Sequence, residues 1–239
     1  MQDIAMHIGY GIVNGPVSAA YGAVAIVALA ICVAKARGDL DEKLAPMAGL
    51  VAAFIFAVQM LNFPVLPGVS GHLLGGVLAA MLVGPWVGAL CVSTVLIVQS
   101  LLFADGALTA IGLNISNMAL LGTAAGYLVI ALLLRVLPKT PAGVAITAFV
   151  ASVISVVVAS QGFVLQYWLG GTTDLPILGV AAAMAGPHLL IGIGEGIIAA
   201  TTVVTVAKVR PDLVYALRRY RRRPAAVPAP APATVGGAV

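Results

Sequence analysis

The stretch 179–207, GVAAAMAGPHLLIGIGEGIIAATTVVTVA, holds one carboxylate, Glu195, and no Lys or Arg. The sixteen residues after it, KVRPDLVYALRRYRRR (208–223), hold seven Lys and Arg. The first run exceeds the ~20 residues that a helix needs to cross the hydrocarbon of a bilayer. The second reads as a cytoplasmic anchor against anionic headgroups. Together they predict a membrane-spanning helix and a direction for it.

Six further apolar stretches precede it, at roughly 14–34, 45–62, 70–83, 86–104, 108–134 and 142–167. With seven spans and the N-terminus outside, the cytoplasmic segments are 35–44, 84–85, 135–141 and 208–239. They hold Lys35, Arg37 and Lys43, then none, then Arg135 and Lys139, then the seven of the last segment, which is all twelve Lys and Arg of the chain. A wrong span count would scatter these charges over both faces, so the positive-inside rule sets parity and orientation together.

Composition agrees. The chain is 62% hydrophobic and 8% charged, with a mean hydropathy of +1.12. A water-facing protein cannot use that much apolar sequence, whereas a helical bundle in lipid can. The expected fold is an all-α integral membrane protein of about seven transmembrane helices. Its expected parts are an N-terminal segment (1–13), the helical domain (14–207) and a basic, then Pro/Ala-rich cytoplasmic tail (208–239). The basic balance is an anchor for membrane lipid and no nucleic-acid surface. Cys32 and Cys91 fall inside predicted helices and read as small packing residues. No basic segment opens the chain, so a cleaved signal peptide is not expected. Small-xxx-small pairs such as Gly84/Gly88 and Gly192/Gly196 mark close helix contact.

Polar residues inside spans are costly in lipid, so they turn inward and often mark a path or a site. Here they gather at one end. Gln59, Asn62, Gln99, Asn114, Asn117, Gln161 and Gln166 all fall at outer helix ends, with Asp105 in an outer loop. His188 lies in the outer half of the last span, and Glu195 follows seven residues deeper on the same face. The inner halves are nearly all Ala, Val, Leu, Ile and Gly. Each amide alone reads as a helix-to-helix hydrogen bond, whereas the cluster reads as a polar cavity open to the outside. His7 and His72 also fall on the outer side. His72 lies in NFPVLPGVSGHLLGG (62–76), whose irregular Gly/Pro-rich backbone is tolerated at membrane depth only where protein buries it or it lines a cavity. Imidazole is the commonest protein ligand for borderline divalent metals.

At these residues the sequence resembles a known family, the cobalt/nickel substrate-capture (S) components of energy-coupling-factor (ECF) transporters, the CbiM/NikM family. The resemblance rests on Met6-His7-Ile8, NGPVSAA (14–20), FAVQMLNFPVLPGVSGHLLGG (56–76), LVGPWVGALCVSTVLIVQSLLFADGALTAIGLNISNM (82–118) and GPHLLIGIGEGII (186–198). It implies a protein that takes Co2+ or Ni2+ from the outer face as transported cargo and has no cofactor. The implied ligands are the amine of Met6, the backbone nitrogen and ring of His7, and the ring of His72. Gln59, Asn62, Gln99, Asn114, Asn117, His188 and Glu195 stand as cavity or supporting residues. Implied partners are a transmembrane coupling (T) subunit and a pair of cytoplasmic ATPases, with room for a small accessory membrane subunit. The chain is then a transporter subunit and not an enzyme, in a prokaryotic plasma membrane. It has no Gly-x-x-x-x-Gly-Lys-Ser/Thr loop with which to bind ATP.

Two departures matter. Residues Met1–Ala5 precede Met6, so Met6 offers an amide where the ligand set needs an amine. An over-long start, trimming or a rearranged site would each account for this. Gly9-Tyr10-Gly11 also replaces the Pro-Asp-Gly or Met-Glu-Gly often found in the family. Two other readings stay open: a stand-alone secondary transporter with Glu195 as a proton relay, and an intramembrane enzyme using His188 and Glu195.

Overall fold

A computed structural model describes residues 8–38, 44–66 and 69–218, the side chains of 62–66 and 69–70 excepted. Met6, His7 and the tail from residue 219 lie outside the described residues, as does the side chain of Asn62.

The helices follow the apolar stretches. They are α1 (Gly15–Ala36), α2 (Leu44–Gln59), α3 (Gly76–Val83), α4 (Pro85–Leu102), α5 (Leu108–Val136), α6 (Pro141–Gly170) and α7 (Ile177–Val209). A short 3-10 turn (Pro211–Leu213) and α8 (Tyr215–Arg218) follow. Among the described residues α1, α4, α5, α6 and α7 are long and apolar enough to cross a membrane, and α2 is a shorter apolar helix. Starts are set by residues suited to helix N-termini. Asn14 Oδ1 accepts from the Val17 N–H (3.0 Å) and Thr140 Oγ1 from the Gly143 N–H (3.2 Å), each with proline in the first turn.

The sequence placed a second span to 62 and a third over 70–83. The structure instead ends α2 at Gln59 and inserts an antiparallel hairpin, β1 (Asn62–Leu66) with β2 (Val69–His72), in register Asn62 to His72. Prolines and glycines stop both helices here, and pairing the two short strands satisfies backbone groups that lipid could not. What remains of the third span is the eight-residue α3, about 12 Å long, too short to cross. All eight of its residues are buried. It touches α2, α4, α5, α6, α7 and α8, so it is a post inside the bundle.

Two glycines with positive φ allow this post. Gly75 (φ +77°) turns the chain from β2 into α3, and Gly84 (φ +89°) turns it from α3 into α4. A Cβ on Gly75 would stand 2.7 Å from Ile55 Cγ1, and one on Gly84 would stand 2.9 Å from the Tyr215 ring. The Gly75→Ala variant is therefore expected to lose about 1–3 kcal/mol from backbone strain alone, with overlap against Ile55 added. Thermal unfolding of detergent-solubilised protein checks this; an unchanged melting temperature would refute the argument.

The small-residue pairs pack as expected. The most extensive contact in the bundle is α6 against α7. A Cβ on Gly192 would meet Val153 Cα at 3.0 Å, and one on Gly196 would meet Phe149 Cδ2 at 2.7 Å. By contrast α1 fully buries only Ala25, Cys32 and Ala36 and leaves Val24, Ile26, Val27, Ile31 and Val33 exposed. Both cysteines are buried and free.

A second difference lies in α5. Its residues Ile115–Gly122 form a π-helical segment, which breaks the regular ladder of backbone bonds. α6 supplies substitutes: Gln166 Nε2 donates to the Leu113 carbonyl (3.3 Å) and Ser155 Oγ to the Gly122 carbonyl (2.7 Å). The inner halves, read as nearly all Ala, Val, Leu, Ile and Gly, also bury hydroxyls, among them Thr123, Thr147, Ser152 and Ser155. Thr147 Oγ1 donates to the Gly143 carbonyl one turn back (2.8 Å) and Ser155 bonds across to α5, whereas the hydroxyls of Thr123 and Ser152 have no partner among the described residues.

Candidate metal-binding end of the bundle

Helix directions bring the hairpin, the loop after α4, the start of α5 and the α6–α7 connection to one end. The described Lys and Arg lie at the other end. The N-terminal segment enters the hairpin end and is fixed by its backbone. Thr172 N donates to Ile12 O (3.1 Å), Asn14 N to Gly170 O (2.7 Å), and Val13 forms a bridge with Gly171. Thr172 Oγ1 donates to the Gly11 carbonyl. Ile8, the first described residue, is buried against Leu113, Phe163, Tyr167 and Met184. Both of its backbone groups are engaged: its N–H by Asn114 Oδ1 (3.4 Å) and its carbonyl by the Ala107 N–H (3.2 Å). The sequence does place His7 directly ahead of this anchored residue.

His72 closes β2 and is only 3% exposed. Its Nδ1 lies 2.7 Å from the Leu73 carbonyl. A carbonyl can only accept, so Nδ1 carries the proton and Nε2 carries the lone pair. That tautomer is the one in which an imidazole ligates metal through Nε2, with its second nitrogen held by a carbonyl. Two residues on, Leu74 is gripped from both sides. Its N–H donates to Glu195 Oε2 on α7 (2.6 Å), and its carbonyl accepts from Gln59 Nε2 on α2 (2.8 Å).

The two segments stack along α7. Ile8 packs in one cluster with Val180 and Met184, while Leu73 and Leu74 pack in the next with Ile191. His188 lies between those turns and is buried, its Nδ1 2.7 Å from Met184 O. It therefore bonds back onto its own helix, whereas Glu195 bonds across to another segment. Asn117 Nδ2 donates to Gln166 Oε1 (2.7 Å), tying α5 to α6. Gln161 is only half-buried and bonds to its neighbour Ser160 (3.3 Å), so it does not join the cluster. Asn62 enters through its backbone, as the register partner of His72.

Several buried atoms at this end lack a hydrogen-bond partner among the described residues: both amide atoms of Gln99, Asn114 Nδ2, Gln59 Oε1 and Glu195 Oε1. An unsatisfied buried polar group costs about 1–3 kcal/mol, so a polar partner at any of these atoms would be favourable. Among the described residues no three His, Cys, Asp or Glu side chains come together as a metal site. His72 and His188 are the described imidazoles.

Comparison with known proteins shows the family of the chain. The family model described as "Cobalt uptake substrate-specific transmembrane region" (CbiM) matches residues 7–213. A putative fused nickel transport protein NikMN of Archaeoglobus fulgidus is 36% identical over 87% of this chain and 68% of its own length. The cobalt transport protein CbiM of Sorangium cellulosum is 31% identical over 92% of this chain and all of its own length. A crystal structure described as a truncated transition metal transporter superposes with a TM-score of 0.75 at 30% identity, covering 85% of this chain and 99% of that one. The chain is thus a multi-pass protein of a prokaryotic plasma membrane and belongs to the cobalt-uptake substrate-specific transmembrane (CbiM) family.

Proposed function

We propose that this chain is the substrate-capture subunit of an ATP-driven ECF importer and takes Co2+ or Ni2+ at the hairpin end of its bundle. The observation that carries the reading is His72: a buried imidazole whose Nδ1 lies against the Leu73 carbonyl, on a segment braced from two helices. The names of the relatives point to the same cargo. The ligand set is the Met6 amine, the His7 backbone nitrogen and ring, and the His72 ring. An amine, an amide nitrogen and two imidazoles form a strong-field nitrogen set close to planar. Such a set suits Ni2+ and low-spin Co2+ and disfavours Zn2+, Mg2+ and Ca2+. The anchored Ile8 supports it, because both of its backbone groups are held immediately after His7.

The hairpin end then faces outward and the basic end faces the cytoplasm, as the positive-inside rule requires. Energy for release comes from a coupling subunit and cytoplasmic ATPases, which a chain without a phosphate-binding loop must recruit. Isothermal titration of the purified chain tests the reading. One site per chain for Ni2+ or Co2+, with much weaker Zn2+ binding, is expected. Absence of binding by either metal would refute it.

His188 serves the fold of α7 in this scheme, its ring bonded to Met184 one turn away beside Pro187. His188→Gln is expected to lower the melting temperature and still bind one metal per chain. A folded variant that has lost the metal would make His188 a ligand.

A further inference from the structure

We infer that Glu195 and Gln59 are positioning residues that set the metal preference of the site by fixing the His72 segment. The inference rests on the proposed role of His72 and goes beyond it, since neither residue need touch the metal. Leu74 lies between the end of β2 and the start of α3, so no ladder or helix supplies partners for its N–H and carbonyl. Two side chains supply both, Glu195 Oε2 at 2.6 Å and Gln59 Nε2 at 2.8 Å. They come from α7 and α2, and are 3% and 1% exposed. Hydrophobic packing reinforces the grip, because Leu74 Cδ2 abuts Gly122 and Gly75 abuts Ile55. The backbone two residues after His72 therefore has one position, and Nδ1 of the ring is tied to the neighbouring carbonyl of Leu73.

A planar nitrogen set tolerates little displacement of any donor. A tetrahedral ion tolerates a donor that swings out of plane. Holding the His72 segment still therefore favours Ni2+ and Co2+ over Zn2+. A loosened segment costs the planar ions their fit and costs Zn2+ less. The bond from the Leu74 N–H to the Glu195 carboxyl oxygen is the shorter of the two, 2.6 Å against 2.8 Å.

The test is titration of the full-length chain and of its Glu195→Ala, Glu195→Gln and Gln59→Leu variants with Ni2+ and with Zn2+. Melting temperature and the ligand-field absorption of bound Ni2+ are recorded alongside. Glu195→Ala is expected to lower Ni2+ affinity by about 10–100-fold, the usual effect of removing a group that orients a ligand. Zn2+ affinity changes less, so the preference for Ni2+ falls and the absorption of bound Ni2+ shifts. Glu195→Gln keeps an oxygen to accept from Leu74 and restores both. Gln59→Leu, which removes the other grip, moves the preference in the same direction and decides the matter if Glu195→Ala does not fold. Variants that melt earlier but bind Ni2+ and Zn2+ in the parental ratio would overturn the inference and leave His72 as a ligand. Failure of the parent chain to bind Ni2+ would instead overturn the proposed function.

Discussion

Replacing His72 with alanine is expected to abolish Ni2+ and Co2+ binding by the purified protein while the bundle stays folded. The first half follows from the donor count. The proposed set has four nitrogens, of which the His72 ring is the one that does not belong to the N-terminal segment. Without it, the remaining three donors come from one segment and nothing opposite closes the plane. The buried amides nearby, Gln59, Gln99, Asn114 and Asn117, are weak donors to these metals compared with imidazole. The second half follows from what the ring contacts. His72 is buried at the end of β2 and lies outside the hydrophobic clusters that hold the helices together. Its bond to Leu73 is local, and leaving that carbonyl unmet costs about 1–3 kcal/mol. Titration calorimetry measures the loss, and size-exclusion chromatography with thermal unfolding measures the fold. Tight binding by a folded His72→Ala protein would remove His72 from the ligand set.

The helices were legible because their signal is long and chemically simple. A run such as 179–207 cannot be stable in water, and helix is what satisfies its backbone in lipid. The distribution of Lys and Arg then separated the two ends without any structure. The hairpin was not legible, since NFPVLPGVSGH carries the same prolines and glycines that mark any irregular turn. The π segment of α5 has no sequence signature at all; only Gln166 and Ser155 on a neighbouring helix reveal that its carbonyls need partners. Read singly, the amides pointed to hydrogen bonds between helices, and for several of them that holds. Gln59, Asn117 and Gln166 each bond to another element, whereas Gln161 turns out to bond only to its neighbour. Period and hydropathy locate a polar residue on a helix, but the partner depends on which helix packs against it. His72 stood out for a different reason: an ionisable ring in an irregular segment at membrane depth has few structural uses.

A chain beginning at Met6 is expected to bind Ni2+ and Co2+ more tightly than one beginning at Met1. The reason lies in the nitrogen of residue 6. As the first residue it presents an amine, whose lone pair is available once its proton leaves at mildly alkaline pH, about 8 for an ordinary α-amino group. With Ala5 ahead of it, the same nitrogen is an amide, conjugated with a carbonyl and a far poorer donor. The anchoring at Ile8 sharpens the comparison. Ile8 N–H on Asn114 and Ile8 C=O on Ala107 hold the chain directly after the two proposed ligand residues, so both forms carry the same anchor and differ only in the nitrogen of residue 6 and the five residues ahead of it. Acetylating the amine of the shorter form should weaken binding to the level of the longer one, because it restores an amide without restoring the five residues. That control separates the chemistry of the donor from crowding by the extra chain. If the acetylated form binds as tightly as the free amine, residue 6 is not a ligand. A fourth donor must then come from an amide oxygen at this end of the bundle; Asn62, Gln99 and Asn114 are the places to look, and the Gln99 oxygen has no partner among the described residues.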